Sequence, residues 1–352
     1  MRLCFLHLAT NILLMPALLA QTPAPQTAPQ TTIINRDASV YSEAARAIYL
    51  VDPSHDAVAV LSSTKTSTSI KVGAHPVALA LNRRTGMLYI VNSTGRSVSI
   101  LDTRTNAVVA TVATVATAAR PYAIAVDEAA DKVYVSNTFS DRLTVIDGAT
   151  HAVTNLRTGS ADVLVADPDR HRVYLLGYES DTLTELDPGT GALTKLPAGA
   201  MHLWGLARAG KTLYVSHVQD AEIAALDLET HSIRTLATGR MPCAIVVSAA
   251  TGRVYVANFA DGSVTILDKT RPTATVKVSP HPQGLTLDDD AGLLYVASPQ
   301  NDAVTIIDTG TGRVRRTLSD PGHPYAIALN PSTHVAYAVN LADDPFAPLD
   351  SP

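Results

Sequence analysis

Three histidines recur in the same short word of the sequence and are the first residues that could carry chemistry. Each stands directly before a proline and an alternating run of apolar residues. They are His75, His281 and His323. Imidazole groups ligate transition metals and exchange protons near neutral pH, so three that met at one place could form a metal or catalytic site. The same words could instead be turns, because proline fixes φ and suits the first position of a strand.

A repeat with one tyrosine per copy must position these histidines. The tyrosines are spaced by 40 to 45 residues and are Tyr49, Tyr89, Tyr134, Tyr174, Tyr214, Tyr255, Tyr295 and Tyr337. Each copy has an alternating apolar run, a polar turn, the tyrosine run, a third run that ends in Asp, and a Thr/Val-rich fourth run. Four short strands in every copy, without helical periodicity, predict the blades of an all-β protein, a β-propeller.

The residues around the tyrosines resemble a known repeat. The sequence reads YIVN at 89–92, YVSN at 134–137 and YVAN at 255–258, and these are followed by V-x-[IV]-[IL]-D, with Leu143 in the place of the Val in the second copy. These words resemble the YVTN-type β-propeller repeat, including exported YncE-like proteins, over residues 35–350. The resemblance implies the propeller fold and leaves the function open, because one propeller scaffold hosts many unrelated activities.

The number of blades follows from how the ring closes. We count eight tyrosine strands but only seven well-formed third and fourth strands. Residues 340–350 align with 258–268, yet Pro345 and Pro348 weaken them as a strand. Residues 31–35 could supply the missing outer strand, so that the N- and C-terminal strands close the ring. Eight four-stranded blades are therefore favoured, with seven as the alternative.

Alignment of the repeats on their tyrosines places the histidines at one equivalent position, at the mouth of the central channel. This position is occupied by Asn35, His75, Arg120, Ser160, Met241, His281 and His323, and by His202 if a short turn is allowed for. The next turn inward carries Tyr122, Trp204, Cys243, Gln283 and Tyr325. Imidazole, guanidinium and aromatic groups around a concave mouth are typical of a ligand site. The predicted ligand-binding residues are His75, Arg120, His202, His281, His323, Tyr122, Trp204 and Tyr325.

Two classes of function remain open for the channel mouth. The sequence favours a non-catalytic propeller that binds a ligand or a protein partner. The alternative is a hydrolase, a lyase or a metal-dependent oxidoreductase that uses the same mouth, with His75, His281 and His323 as candidate metal ligands. Carboxylates from the second-to-third loops would support the alternative, and they are Asp56, Asp141, Glu179, Asp220 and Asp261. No cofactor is predicted, since the sequence contains no C-x-x-C-H, H-E-x-x-H or G-x-S-x-G motif and no Gly-rich phosphate loop; a transition metal is the one possibility.

The N-terminal residues predict export. Residues 1–20 have a basic start, an apolar stretch and a small residue before Gln21, as signal peptides do, with cleavage at Ala20/Gln21 or after Ala24. Residues 21–32 are a Pro/Gln/Thr-rich leader, and residues 33–352 form one propeller domain. We expect a periplasmic or secreted monomer without a membrane span. The formal net charge of -5, without a cluster of Lys and Arg, disfavours nucleic acid as a partner.

Overall fold

The computed structural model describes most of the chain from residue 38 onward. The described residues are 38–349 without 63–66, 115–118, 178–181, 200–201, 269–270, 320–322, 325 and 341–345. The chain divides into two units, Met1–Ile33 and Ile34–Pro352, and the strands below belong to the second. The predicted signal peptide and leader lie outside the described residues. Within the described part, no helix is both long and apolar enough to cross a membrane.

Antiparallel sheets in which spatial order equals chain order make up the second unit. The first blade contains β1 Ser39–Ser42, β2 Ala47–Asp52, β3 Ala57–Ser62 and β4 Ser67–Lys71. The second contains β5 Pro76–Asn82, β6 Met87–Asn92, β7 Ser97–Asp102 and β8 Ala107–Ala113. The third contains β9 Arg120–Asp127, β10 Lys132–Thr138, β11 Arg142–Asp147 and β12 Val153–Arg157. The fourth contains β13 Val163–Asp167, β14 Arg172–Gly177, β15 Thr182–Leu186 and β16 Leu193–Leu196.

The remaining sheets repeat this arrangement. The fifth contains β17 Leu203–Ala209, β18 Thr212–His217, β19 Glu222–Asp227 and β20 Ile233–Ala237. The sixth contains β21 Pro242–Val247, β22 Val254–Asn258, β23 Ser263–Leu267 and β24 Pro272–Lys277. The seventh contains β25 Gly284–Asp288, β26 Leu293–Ser298, β27 Ala303–Asp308 and β28 Arg313–Ser319. The last contains β29 Ala326–Asn330, β30 Val335–Val339 and β31 Phe346–Leu349. Two short 3₁₀ turns, Pro53–His55 and Pro299–Asn301, follow β2 and β26.

The count of complete blades corrects the favoured prediction. Seven sheets have four strands, which is the alternative number and not the favoured eight, and one further sheet has three strands. Pro348 does not prevent the third strand of that sheet, because β31 pairs with β30 and places Pro348 opposite Tyr337. A fourth strand is absent from this sheet among the described residues. The segment expected to supply it, 31–35, lies outside them.

The first strand of every sheet lies at the inside of the propeller. Neighbouring first strands contact one another in sequence from β1 to β29, and β29 in turn contacts β1. The outer strands are largely exposed, whereas the second and third strands are buried on both faces. This burial explains why the second and third strands read as almost continuous apolar runs, while the fourth strands are rich in Thr and polar residues.

The recurring tyrosines pack between blades, as their shared sequence setting predicts. Tyr49 of the first blade lies in one apolar cluster with Leu79 and Leu88 of the second. Its hydroxyl donates to the Thr103 carbonyl at 3.1 Å and to Asn106 Oδ1 at 2.7 Å, both in the second blade. Tyr337 of the last sheet packs in the same cluster as residues of the first blade. The same kind of packing therefore joins the last sheet to the first blade across the seam where the ring closes.

Deletion of residues 21–36 tests how the seam is completed. If residues 31–35 pair with β31, the deletion leaves an unpaired strand edge on the last sheet and weakens its contact with the first blade. We expect a lower melting temperature than that of the full mature chain, measured by thermal denaturation. A matched deletion of residues 21–30 should leave the melting temperature unchanged. An unchanged value for the longer deletion as well would show that this segment does not complete the ring.

Candidate functional site

One end of the propeller is formed by two kinds of segment, which we call together the entry face. They are the loops between second and third strands and the connections that lead from one blade to the next. Backbone hydrogen bonds join them: Ser93 N donates to His75 O at 2.9 Å, and Phe259 N donates to Met241 O at 2.9 Å. The predicted position of the His-Pro words beside the second-to-third loops is therefore observed.

The histidines of these words share one unusual backbone conformation. At the repeat position predicted for the channel mouth, φ is positive at His75 (56°), His202 (59°), Met241 (54°), His281 (54°) and His323 (58°). Residues other than glycine rarely have positive φ, and Asn, Asp and His are the types that tolerate it best. Eight histidines in the described part of the chain have positive φ, including several in turns at the opposite end. Turn geometry thus explains why histidine recurs before proline.

Two residues that were predicted at this position do not have its left-handed backbone conformation. Arg120 begins strand β9 and pairs with Thr138 of β10, so it extends the hairpin of the third blade instead of entering it through a left-handed turn. Ser160 also lies outside the positive-φ set, in which the preceding Gly159 (φ 84°) is found. The connection before β9 is six residues long, against four before β5, and this difference shifts the equivalent residues. Asn35 and Tyr325 lie outside the described residues.

Carboxylates of the second-to-third loops do approach the histidines, but they contact the backbone. Asp56 Oδ1 accepts a hydrogen bond from His75 N at 2.8 Å, and Asp302 Oδ1 accepts one from His323 N at 2.6 Å. Asp261 accepts from Arg240 N and Arg240 Nε, each at 2.7 Å. These contacts fix the turns. No group of three or more His, Cys, Asp or Glu residues that could hold a metal ion occurs in the described part of the chain.

Other predicted carboxylates are held away from the imidazoles or lie outside the described residues. Asp141 forms an ion pair with Arg157 at 2.8 Å. Asp220 lies in the loop after β18, and its backbone N donates to His217 O at 3.2 Å. Glu179 is not among the described residues. None of the predicted carboxylates that the structure describes pairs with an imidazole of the His-Pro words. An imidazole–carboxylate contact does occur in one of these loops, between His55 Nδ1 and Asp52 Oδ2 at 2.9 Å, but neither residue belongs to those words.

A buried amide holds the entry-face loops in the YVTN-like copies. Asn258 Nδ2 donates to Ser263 Oγ at 3.0 Å and Thr265 Oγ1 at 2.9 Å, and its Oδ1 accepts from Gly239 N at 3.0 Å. A Cβ atom at Gly239 would lie 2.8 Å from the Asn258 amide. A Cβ atom at Gly73 would likewise lie 2.6 Å from the Asn92 amide. Close approach to the buried amide therefore explains the Gly-x-x-Pro words at 73–76 and 239–242.

Replacement of Gly239 by Ala tests this close approach. Because the clash is with a fully buried amide, the side chain must shift and lose its hydrogen bonds, and we expect a loss of about 1–3 kcal/mol in unfolding free energy, measured in urea. Gly310→Ala is the matched control, since its nearest neighbour would be at 3.4 Å. Equal stability of the two variants would contradict the role of Gly239.

Aromatic side chains are exposed on the entry face. Trp204, the only tryptophan, is 39% exposed, and Tyr122 is half-buried. Sequence reasoning missed two residues here: Phe139 is 83% exposed in the loop after β10, and Phe259 is half-buried in the loop after β22. The signal was present, because the chain has only four phenylalanines, and Phe259 directly follows Asn258 while Phe139 stands two residues after Asn137.

Cys243, predicted one turn inward, belongs to the core. Its Sγ lies 3.3 Å from Pro282 O and 3.4 Å from Ala257 O, and burial raises the pKa of the thiol to about 12. A thiol that stays protonated is a poor nucleophile and a poor metal ligand. Gln283, also predicted inward, is half-buried, and its backbone N donates to Ala297 O at 2.9 Å.

Comparison with known proteins identifies the fold. No family model and no curated protein matches the sequence. Among solved structures, the chain resembles dihydro-heme d1 dehydrogenase NirN in complex with DHE, with a TM-score of 0.68 and 15% identity over 80% of this chain and 65% of that one. This chain thus spans less than two thirds of the NirN chain.

Two further structures are similar along most of their length. The computationally designed Ika8 protein has a TM-score of 0.69 and 13% identity over 86% of this chain and 92% of that one. A catalytically inactive histidine-to-alanine variant of virginiamycin B lyase from Staphylococcus aureus, solved with quinupristin, has a TM-score of 0.60 and 11% identity over 76% and 94%. At such identities the likeness establishes the fold alone, and the chain is a β-propeller.

Proposed function

We propose that this protein is an exported propeller of the YVTN-repeat, YncE-like type that binds a ligand or a protein partner through its entry face without catalysis. The observation that carries the proposal is the position of two exposed aromatic residues in a chain that has few of them. Trp204 and Phe139 are both exposed, and both lie on this one face. Exposed aromatic groups beside unpaired polar groups are typical of binding surfaces, because they supply large contact area at low entropic cost.

The surrounding charges favour binding over chemistry. Arg142 follows Phe139 by three residues, and Arg120 pairs with Thr138, the residue before Phe139. Both arginines are exposed in the third blade and have no side-chain partner among the described residues. In contrast, the carboxylates of Asp56, Asp261 and Asp302 accept hydrogen bonds from backbone amides, and that of Asp141 pairs with arginine. The runner-up, a lyase or hydrolase, is favoured by one finding, the similarity to virginiamycin B lyase, which extends to the fold alone.

Export belongs to the same proposal. The N-terminus of the mature protein is expected at Gln21, which mass spectrometry of the periplasmic or secreted protein would reveal.

A screen by ligand-induced thermal shift tests the binding role. Each compound that raises the melting temperature of the wild type is measured again with the double variant Phe139→Ala/Trp204→Ala. We expect the shift to fall by half or more in that variant. A control variant of two exposed apolar residues on outer strands, Leu193→Ala/Val314→Ala, should keep the full shift. Full retention of the shift by this variant, for every compound that stabilises the wild type, would contradict the role proposed for Phe139 and Trp204.

A further inference from the structure

A cleft on the entry face lies where the sixth blade leads into the seventh. It has a volume of about 350 Å³ and is open to solvent. Its walls are Phe259, Ala260, Asp261, Gly262, Lys277, Val278, Pro280 and His281. This volume is at the lower end of the range for small-molecule sites. The cleft combines an apolar side with a charged side, and the two sides indicate which ligand would fit.

The charged side is cationic. Lys277 Nζ donates to the Asp261 carbonyl at 2.8 Å, which holds the ammonium group at the edge of the cleft. The Asp261 carboxylate is occupied by Arg240, and the hydrogen bonds from Arg240 lower the pKa of this carboxyl. One ammonium and one guanidinium against one carboxylate leave a local formal charge of about +1 in a chain whose total is -5. An anionic group is therefore attracted to this cleft.

The apolar side of the cleft is formed by two tilted rings and the residues beside them. The rings of Phe259 and His281 have centroids 4.8 Å apart at an interplanar angle of 43°. The pair distance lies within the range of favourable aromatic contacts, so each ring restrains the other. Val278 and Pro280 extend the wall. At Gly262 (φ 56°), any side chain would begin 3.3 Å from Pro280, so the glycine keeps the cleft open.

The same lysine and histidine occur once more in the chain without the aromatic wall. The sequence word K-V-x-x-H-P appears at 71–76 and at 277–282. In the first copy, Lys71 Nζ donates to the His55 carbonyl at 2.6 Å, as Lys277 does to Asp261. The residue in the place of Phe259 is Pro53. The chain thus carries its own control for the contribution of the phenylalanine.

We propose that the cleft between the sixth and seventh blades binds a small aromatic carboxylate. The carboxylate accepts hydrogen bonds from Lys277, and the ring packs against Phe259, His281 and Pro280. This assignment rests on the proposed function, because it names a ligand class for part of the entry face. It does not depend on the exposed Trp204 or Phe139, which lie in other blades.

Binding of benzoate, followed by ligand-observed NMR on the full mature chain, tests the proposal. Benzoate is expected to bind saturably, with benzamide and acetate each at least about tenfold weaker, because one lacks the charge and the other lacks the ring. Lys277→Gln and Phe259→Leu should each weaken benzoate binding about tenfold or more. The matched variants Lys71→Gln and Phe139→Leu should bind benzoate as the wild type does.

Two results would overturn the assignment: no saturable binding of benzoate, or equal losses in the matched variants. Failure of this inference and failure of the proposed function are distinguishable. A compound from the thermal-shift screen whose binding depends on Phe139 and Trp204, found together with no saturable binding of benzoate, would support the proposed function and overturn the cleft assignment. Saturable benzoate binding that depends on Phe259 and Lys277 supports the cleft whatever the result for Phe139 and Trp204. Circular dichroism of every variant checks that the fold is retained, which matters most for Phe259→Leu because Phe259 is half-buried.

Discussion

Replacement of Tyr134 by alanine is expected to lower the free energy of unfolding by about 3–5 kcal/mol. The side chain is fully buried and packs with Leu164, Val173 and Leu175 of the next blade. Its removal leaves a cavity between two sheets that cannot collapse independently, because each is fixed by the rest of the ring. Chemical denaturation in urea measures the loss. A value under about 1 kcal/mol would mean that the tyrosine does not join the blades.

The hydroxyl groups of these tyrosines provide the controls. Tyr134 Oη has no hydrogen-bond partner among the described residues, so Tyr134→Phe removes only an unsatisfied polar atom and should change stability by less than about 1 kcal/mol. Tyr49 Oη makes two hydrogen bonds to the next blade, so Tyr49→Phe should cost about 1–2 kcal/mol. Together the three variants separate ring packing from hydroxyl bonding.

Replacement of His75, His281 and His323 by alanine together is expected to lower the free energy of unfolding by about 2 kcal/mol. Each residue has a positive φ. Histidine and alanine both carry a Cβ atom, but histidine is several-fold enriched in this conformation, which corresponds to roughly 0.6 kcal/mol per residue, and the three lie in different blades, so that the losses add. Urea denaturation again provides the measurement. The prediction follows from backbone conformation alone and requires no ligand.

The corresponding triple replacement by asparagine is the control. Asparagine tolerates positive φ as histidine does, so this variant should keep the stability of the wild type within about 1 kcal/mol. The aspartates that bind the backbone of His75 and His323 are unaffected in both variants. If the alanine and asparagine variants were equally stable, the interpretation of the His-Pro words as left-handed turns would be wrong.

The fold could be predicted because the same pattern of four strands recurs along the sequence. The tyrosine, the Asp at the end of the third strand and the buried Asn each have one structural task in several blades. Asp227 Oδ1, for example, accepts from the backbone N of Glu229 and Thr230, as expected for a turn residue. Hydrogen bonds from these amides lower the pKa of its carboxyl. Because these residues recur at the same place in several repeats, their structural roles can be recognised from the sequence.

The candidate site could be predicted only in part. Alignment on the tyrosines placed His75, His281 and His323 correctly on the entry face, but it could not show that their backbone, and not their imidazoles, is what recurs. Arg120 and Ser160 do not occupy the equivalent structural position, because the connections between blades differ in length and shift the alignment of the repeats. The cleft at Phe259 and Lys277 depends on side chains from a loop, a strand end and the following connection, which only folding brings together.

The fluorescence of Trp204 provides the most direct test of the entry face as the binding surface. Trp204 is the only tryptophan and is 39% exposed on that face, so its emission reports on this surface alone. A saturating ligand or partner found by thermal shift is predicted to change the emission of Trp204 or to protect it from quenching by acrylamide. Unchanged emission and unchanged quenching at saturation, for every ligand that stabilises the protein, would contradict the claim that the protein binds through its entry face.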